Sequence, residues 1–305
     1  FLPALLRRYL IILLFCCIAG ASIRAQSTQA GSNGTYIVSA QSELLKLESA
    51  ESVALSESDL TRTQNRGLNL NPALDHTDAK QPANLMLVFT PGVQGLSDAY
   101  NAAVEGGYYA APIGLSLTAG AARNAYSSIY SDVDALIGIA KVFDLADNRH
   151  VAVGARYRYK SVSYTAPYPP VKFNILDLGF TFDATSEFSI GGAAINLLGS
   201  GQITGGGSAG DLEKTFLVGA TYHPTDTPVA LHTSIEEDGS SPVALHIGAE
   251  YLPVESFVLR AGTSTDTGDI TAGAGLSYEQ YGLDLAATFD HNFGTMITFG
   301  LSGKW

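Results

Sequence analysis

Charged residues recur at every second position in several stretches of this chain. Arg156, Arg158 and Lys160 alternate with Tyr157 and Tyr159. In an extended chain alternate side chains share one face, so the three cations line one side and the rings the other. His246, Gly248 and Glu250 likewise oppose Val243, Leu245, Ile247, Ala249 and Tyr251, and Asp284, Thr288 and Asp290 oppose Leu283, Leu285, Ala287 and Phe289. Asp177 and Arg260 occupy similar places among apolar neighbours, and Glu279 is a further acidic candidate. Such a face is either a polar conduit or a set of cross-strand ion pairs that closes a lumen and fixes register. The ion-pair reading is preferred, with Glu250 and Arg260 flanking one hairpin as the best pair.

Reactive chemistry has little support. The six histidines have no metal-ligand spacing, and none stands beside a credible serine nucleophile. The stretch Gly199 to Gly210 lacks the Lys-Ser/Thr of a phosphate-binding loop and reads as a surface loop. Glu236-Glu237-Asp238 and Asp266 to Asp269 read as turns. No catalytic residue, cofactor or metal site is expected. A formal charge of −12 argues against nucleic acid, whose phosphates need a basic surface.

The elements that must hold the charged face follow from composition and period. Only 15% of residues are charged, against about a quarter in soluble domains. Residues 1–25 read as an export signal, with Arg7 and Arg8 before the apolar run Tyr9 to Ala21. Cleavage fits after Ala19-Gly20-Ala21 or at Ala25-Gln26, and either cut removes Cys16 and Cys17. Residues 26–84 form an N-terminal segment, periplasmic or filling the lumen as a hatch. Leu44, Leu47, Ala50 and Ala54 give it helical spacing.

From residue 85 to 305 the period is two. Fourteen strands are expected, at 85–91, 102–111, 113–122, 133–143, 150–164, 171–183, 187–197, 213–223, 228–236, 242–251, 256–264, 270–279, 281–290 and 295–305. Most are near ten residues, the length a tilted strand needs to cross a bilayer. No run of about 18–20 apolar residues occurs after residue 30, so any crossing would be made by a closed barrel. Even-numbered strands end in tight turns and odd-numbered strands in longer loops. A secreted β-sandwich has no reason to sort its loops by parity, whereas membrane barrels do. The fold class expected is all-β: an antiparallel transmembrane outer-membrane β-barrel of about 14 strands with a short N-terminal helical hatch. The last strand, TMITFGLSGKW, puts Ile297, Phe299, Leu301 and Trp305 on one apolar row interrupted only by Gly303.

Three stretches resemble the PorV/PorQ family, relatives of the long-chain fatty-acid transporter barrels. The first runs from Ser42 through Ala50 and Ala54-Leu55 to Asn71-Pro72-Ala73. The second joins Asp177-Leu-Gly-Phe to Ile190-Gly-Gly-Ala and Ile195-Asn-Leu-Leu-Gly199. The third spans His246-Ile-Gly-Ala-Glu250-Tyr251, Leu259-Arg-Ala-Gly262, Ala272-Gly-Ala-Gly-Leu276 and Leu283-Asp284. The chain departs from the pattern at Ser52-Val-Ala-Leu-Ser, where a glycine pair is usual, and at Met296, where histidine is expected.

The resemblance implies two roles. One assists type IX protein secretion and surface attachment, with secretion-system components and exported proteins as partners. The other is a channel for hydrophobic compounds whose lumen a hatch blocks, marked by a kinked strand beside an apolar pocket. Because proline forces its predecessor out of helix, Asn71, Pro72 and Ala73 either clamp the hatch to the first strand or form a plain turn before it. Phe299, Leu301 and Trp305 would be the signal read by the barrel assembly machinery, with outer-membrane lipid as the other partner. The expected location is the cell outer membrane.

Overall fold

The computed structural model describes residues 49–61, 71–74, 80–92, 98–126, 130–145, 149–165, 168–204, 208–239, 242–290 and 294–305. The expected export signal, Cys16 and Cys17, and the first part of the hatch segment lie outside these residues. Period-two alternation yields strands wherever it was read. The strands are β1 (Ala83–Pro91), β2 (Ala99–Ala110), β3 (Leu115–Tyr126), β4 (Tyr130–Asp144), β5 (His150–Tyr164) and β6 (Val171–Asp183). They continue with β7 (Phe188–Ile203), β8 (Ser208–Asp211), β9 (Thr215–Tyr222), β10 (Val229–Glu237) and β11 (Ala244–Val254). The last four are β12 (Phe257–Ser264), β13 (Ile270–Tyr278), β14 (Tyr281–Asp290) and β15 (Gly294–Lys304).

Every neighbouring pair is antiparallel, and β1 closes on β15 with Phe89 opposite Phe299 and Leu85 opposite Gly303. Pairing of β6 with β7 completes the ring, so fourteen strands form a closed barrel. Closure gives each of the fourteen barrel strands a neighbour on both sides. The remaining strand, β8, is appended to the end of β7. Here the structure differs from the sequence reading, which placed a loop from Leu198 to Asp211. The glycines there do not break the strand, because β7 keeps bonding to β6 as far as Ile203 and turns back through β8.

The turns sort by rim only in part, since the rim away from the chain end also has three-residue links at 127–129 and 291–293 and the other rim a six-residue one at 223–228. The rim carrying the chain end has tight connections, such as the 3-10 turn Ala111–Ile113 with Gly114 left-handed at φ 58°. Two-residue links at Glu255-Ser256 and Glu279-Gln280 lie on the same rim. The opposite rim, called the loop rim below, carries the connections at 92–98, 165–170 and 238–243.

Burial is inverted relative to a soluble protein. Leu85, Leu87 and Phe89 of β1 face outward and are more than 40% exposed, while Met86 and Val88 face inward and are buried. The same holds for Leu283 and Leu285 against Asp284, and for Tyr157 and Tyr159 against Arg156, Arg158 and Lys160. The interior therefore holds the charges and the exterior the large apolar side chains.

Inside sits the hatch, residues 49–61 and 71–74, nearly all buried. Its helix α1 (Ala50–Ala54) starts at Ser49, whose hydroxyl accepts from Ser52 N at 3.0 Å, an N-cap of the usual kind. Five residues are too few to hold a helix alone, so packing must do it. Ala50 and Ala54 pack on Ala286 of β14. The wall makes room for this segment with inward glycines. A Cβ added at Gly273 or Gly300 meets the methyl of Ala54 or Ala50. One at Gly248 or Gly262 meets Leu55, and one at Gly191 or Gly219 meets Leu60.

Candidate functional site

Asn71, Pro72 and Ala73 hold the hatch against β5 and β6, not against the first strand as expected, because Gly154 and Gly179 leave room for the motif there. A proline removes its predecessor from helix, which frees the Asn71 side chain for the wall. Asn71 Nδ2 donates to Phe180 O of β6 and to Leu60 O, both at 2.9 Å, while its Oδ1 accepts from Ala73 N at 3.0 Å. One buried amide thus ties both hatch pieces to one strand. Gly154 and Gly179 give the motif its room: a Cβ at Gly179 overlaps Asn71 Oδ1, and one at Gly154 overlaps Pro72 O.

A second attachment gathers around Arg260 on β12. Its Nε donates to Glu250 Oε1 of β11 at 2.7 Å, one Nη to Asp284 Oδ1 of β14 at 2.7 Å, and the other to Glu51 Oε1 of α1 at 2.8 Å. All four side chains are buried. Arg260 therefore joins two wall strands and the hatch in one charge-assisted cluster. His246 of β11 adds a contact through Nδ1 to Ser56 O at 3.0 Å and stands 3.4 Å from Glu236. Thr271 donates to Ala54 O at 3.0 Å, and Ser52 to Asp59 Oδ1 at 2.9 Å. Burial holds the Asp59 carboxyl above the usual carboxylate range, against the opposing pull of Ser52 and nearby His232.

A third cluster lies on β4–β7. Arg158 grips Asp177 with two bonds, Nε to Oδ2 at 2.7 Å and Nη2 to Oδ1 at 3.1 Å. It also reaches Asp134 Oδ2 at 3.3 Å and Asn196 Oδ1 at 2.8 Å, and Lys160 Nζ is 3.5 Å from Asp134. Register puts Arg156 opposite Asp177, yet the carboxylate turns to Arg158 and to Asn196 N at 2.9 Å. Asn196 is left-handed at φ 55°, a conformation asparagine tolerates better than most residues.

Asn196 marks a bulge. Leu176 pairs with Leu198 and Leu178 with Ala194, so β7 carries extra residues between them. On its other side β7 bonds to β9 only as far as Ile195–Thr215, and beyond that to β8. The segment between β8 and β9 covers this place: Leu212 N donates to Gly199 O at 3.0 Å and Asn196 Nδ2 to Glu213 O at 3.0 Å. Leu212 packs on an interior apolar cluster of Val162, Phe173 and Ile175. Toward the loop rim Tyr126, Tyr130 and Tyr164 stand in one cross-strand row, ring centroids 5.6 and 5.5 Å apart. Tyr130 donates to Asp132 Oδ2 at 2.5 Å, and Asn124 to Asp132 Oδ1 at 3.0 Å.

Most of the polar residues singled out from the sequence fall into two clusters rather than one, while Glu279 lies in the turn between β13 and β14 and Asp290 ends β14 at the loop rim. Arg260, Glu250 and Asp284 form the hatch attachment with His246 nearby, and Arg158, Lys160 and Asp177 form the bulge cluster, with Arg156 buried beside it. Sequence reasoning missed Asp134, Asn196 and Glu51. Asp132 and Asp134 alternate with Val133 and Ala135, the same signal that exposed Arg156 and Arg158. Glu51 has no such signal, because it lies on the hatch. Phe299 and Leu301 lie on the outward row of β15, and Trp305 ends it, bonding in both directions to Ala83 at 2.8 and 3.0 Å. Its indole lies over Gly303, where a Cβ would stand 2.6 Å from the ring.

No protein-family model and no curated protein sequence matches this chain. Its fold is similar to that of solved barrels. The monoaromatic hydrocarbon channel CymD superposes with a TM-score of 0.57 at 11% identity, covering 84% of this chain and 97% of that one. The toluene transporter TodX of Pseudomonas putida does so with a TM-score of 0.57 at 11% identity, covering 85% and 98%. At this identity the likeness is one of fold.

Proposed function

We propose that the chain is a non-catalytic outer-membrane barrel that passes hydrophobic compounds, entering from the loop rim and leaving sideways through the wall at the β7 bulge. The inverted burial supports the membrane setting: soluble monomers rarely expose apolar patches beyond a few hundred Å², and here every barrel strand carries at least one exposed large apolar side chain on its outward face. Fold likeness to two hydrocarbon channels favours a solute route over the secretion role that the PorV/PorQ resemblance implies.

The observation that carries the route is the wall at Asn196. There β7 leaves β9, the gap is covered by Leu212 and Glu213 rather than by a paired strand, and an apolar cluster lies directly inside. The hatch, tied down by Asn71 and Arg260, blocks straight passage toward the turn rim. A hydrophobic solute then has a lipid-facing exit beside it.

The test is a reversible lock. Gly199→Cys with Leu212→Cys puts two thiols where the Cβ positions are 3.2 Å apart. Cells expressing the chain should take up radiolabelled toluene faster than cells without it. Oxidising the double variant should abolish the gain, and reduction should restore it. Uptake indifferent to the lock would rule out this exit.

A further inference from the structure

The lumen near the loop rim contains polar atoms that the protein itself leaves unmatched. The Tyr126 hydroxyl is buried, its residue only 8% exposed, and it has no hydrogen-bond partner among the described residues. Asn101 Oδ1 on β2 is likewise buried without a partner. Both face inward on adjacent strands. Asn101 pairs with Asn124 and Ala99 with Tyr126, so the two groups are diagonal neighbours, about 7–8 Å apart at the backbone. Leaving a buried polar atom unmatched is costly, so two on adjacent strands ask for an explanation.

Their surroundings are half aromatic and half polar. Tyr126 meets Tyr130 ring to ring at a tilted angle, and Met296 of β15 packs against the cluster of Ala99 and Tyr126. Below them the Asp132 carboxylate already accepts from Tyr130 and Asn124. The apolar rings suit a flat hydrophobic body. The unmatched atoms ask for a group at its tip: Tyr126 can donate to it, and Asn101 Oδ1 needs a donor from it. A neutral hydroxyl does both. A carboxylate has no proton for Asn101 Oδ1 and would face the oxygens of Asp132. A plain hydrocarbon leaves both atoms unmatched.

We infer that the loop-side lumen is a binding site for small neutral aromatic molecules bearing a hydroxyl, held by Tyr126 and Asn101 over the Tyr126–Tyr130 rings. This rests on the channel reading and narrows its solute. It distinguishes the chain from a carrier of carboxylate-headed lipids.

The experiment uses the full chain refolded in micelles, with 4-methylphenol, toluene and 4-methylbenzoate as probes that share one ring and methyl. Dissociation constants come from saturation-transfer NMR, corrected for partition into empty micelles. The wild type should bind 4-methylphenol at least tenfold more tightly than toluene, and 4-methylbenzoate least well. Tyr126→Phe keeps the ring and removes only the hydroxyl. It should bring 4-methylphenol within about twofold of toluene while toluene binding stays constant, and Asn101→Ala should act in the same direction. Equal binding of the phenol and toluene by the wild type, or an unchanged gap in Tyr126→Phe, overturns the proposal. Toluene uptake by the same variants separates the two readings. If uptake persists while the gap is absent, only this site falls; if uptake is absent too, the channel reading falls with it.

Discussion

A single arginine decides where the hatch can sit. Arg260 has three buried carboxylate partners, and only Glu51 belongs to the hatch. The cluster holds more acid than base, and Asp59 lies buried close by with His232 and Glu250 around it. Desolvation raises the Asp59 carboxyl, with a titration consequence whose sign is definite. Below about pH 4, the ordinary carboxylate value, Asp59 is protonated in folded and unfolded chains alike, and its contribution is fully present. As pH rises, the unfolded chain releases the proton first, so stability falls until the folded value is passed. Thermal unfolding of the refolded barrel should show its midpoint dropping over this window. Asp59→Asn should flatten that part of the profile. An identical slope in the variant would remove Asp59 as its source.

At the scale of elements the wall and hatch are matched through glycine. The period-two reading found the strands because inward positions are mostly polar or small and outward ones mostly apolar. It could not say why so many inward positions are glycine. The reason is contact: Gly154 and Gly179 receive Asn71-Pro72, and Gly248, Gly262, Gly273 and Gly300 receive Leu55, Ala54 and Ala50. Glycine at an inward position is the imprint of a backbone passing close, information that lives in the partner and not in the strand. The β7 bulge escaped the sequence for a similar reason. Asn196 looks like an ordinary strand residue, and its left-handed turn is set by Asp177 and Arg158 from neighbouring strands. The ion pairs were half legible: alternation marks which residues face inward, but not which carboxylate each arginine takes.

The glycine match makes a steric prediction. Gly179→Ala puts a methyl where Asn71 Oδ1 lies, and the amide must leave Phe180 O to make room. Overpacking of this kind costs about 1–3 kcal/mol. Urea unfolding in micelles should report that loss, together with faster proteolysis at residues 49–61. Alanine at Gly239, which has nothing within 4 Å, is the control for added bulk, although its φ of 74° brings backbone strain of its own. Gly179→Ala with unchanged stability and an intact hatch would contradict the match.

For the molecule as a whole, the last strand is where the fold either closes or fails. Ala83 and Trp305 exchange two backbone bonds, so the ring is sealed to the final residue. Gly303 would otherwise leave a gap in the outward row between Leu301 and Trp305, and the indole folds back to fill it. Aromatic cover over a strand glycine restores apolar contact that the glycine lacks. Tyr108, Tyr278 and Tyr281 lie outward and exposed on the same rim, so Trp305 completes an aromatic girdle of the kind amphipathic rings make at a membrane surface. The residue does two jobs, sealing the β1–β15 seam through its backbone and covering Gly303 with its ring. They can be separated. Trp305→Phe keeps an aromatic cover and should insert into the outer membrane at close to the normal rate. Trp305→Ala opens Gly303 while keeping the backbone bonds, and deletion of Trp305 also removes those bonds to Ala83. Heat-modifiable migration on gels, followed over time after induction, measures the folded fraction. The expected order of folding rate is wild type, then Trp305→Phe, Trp305→Ala and the deletion. A deletion that folds at the wild-type rate would mean that the seam and the girdle form without the last residue.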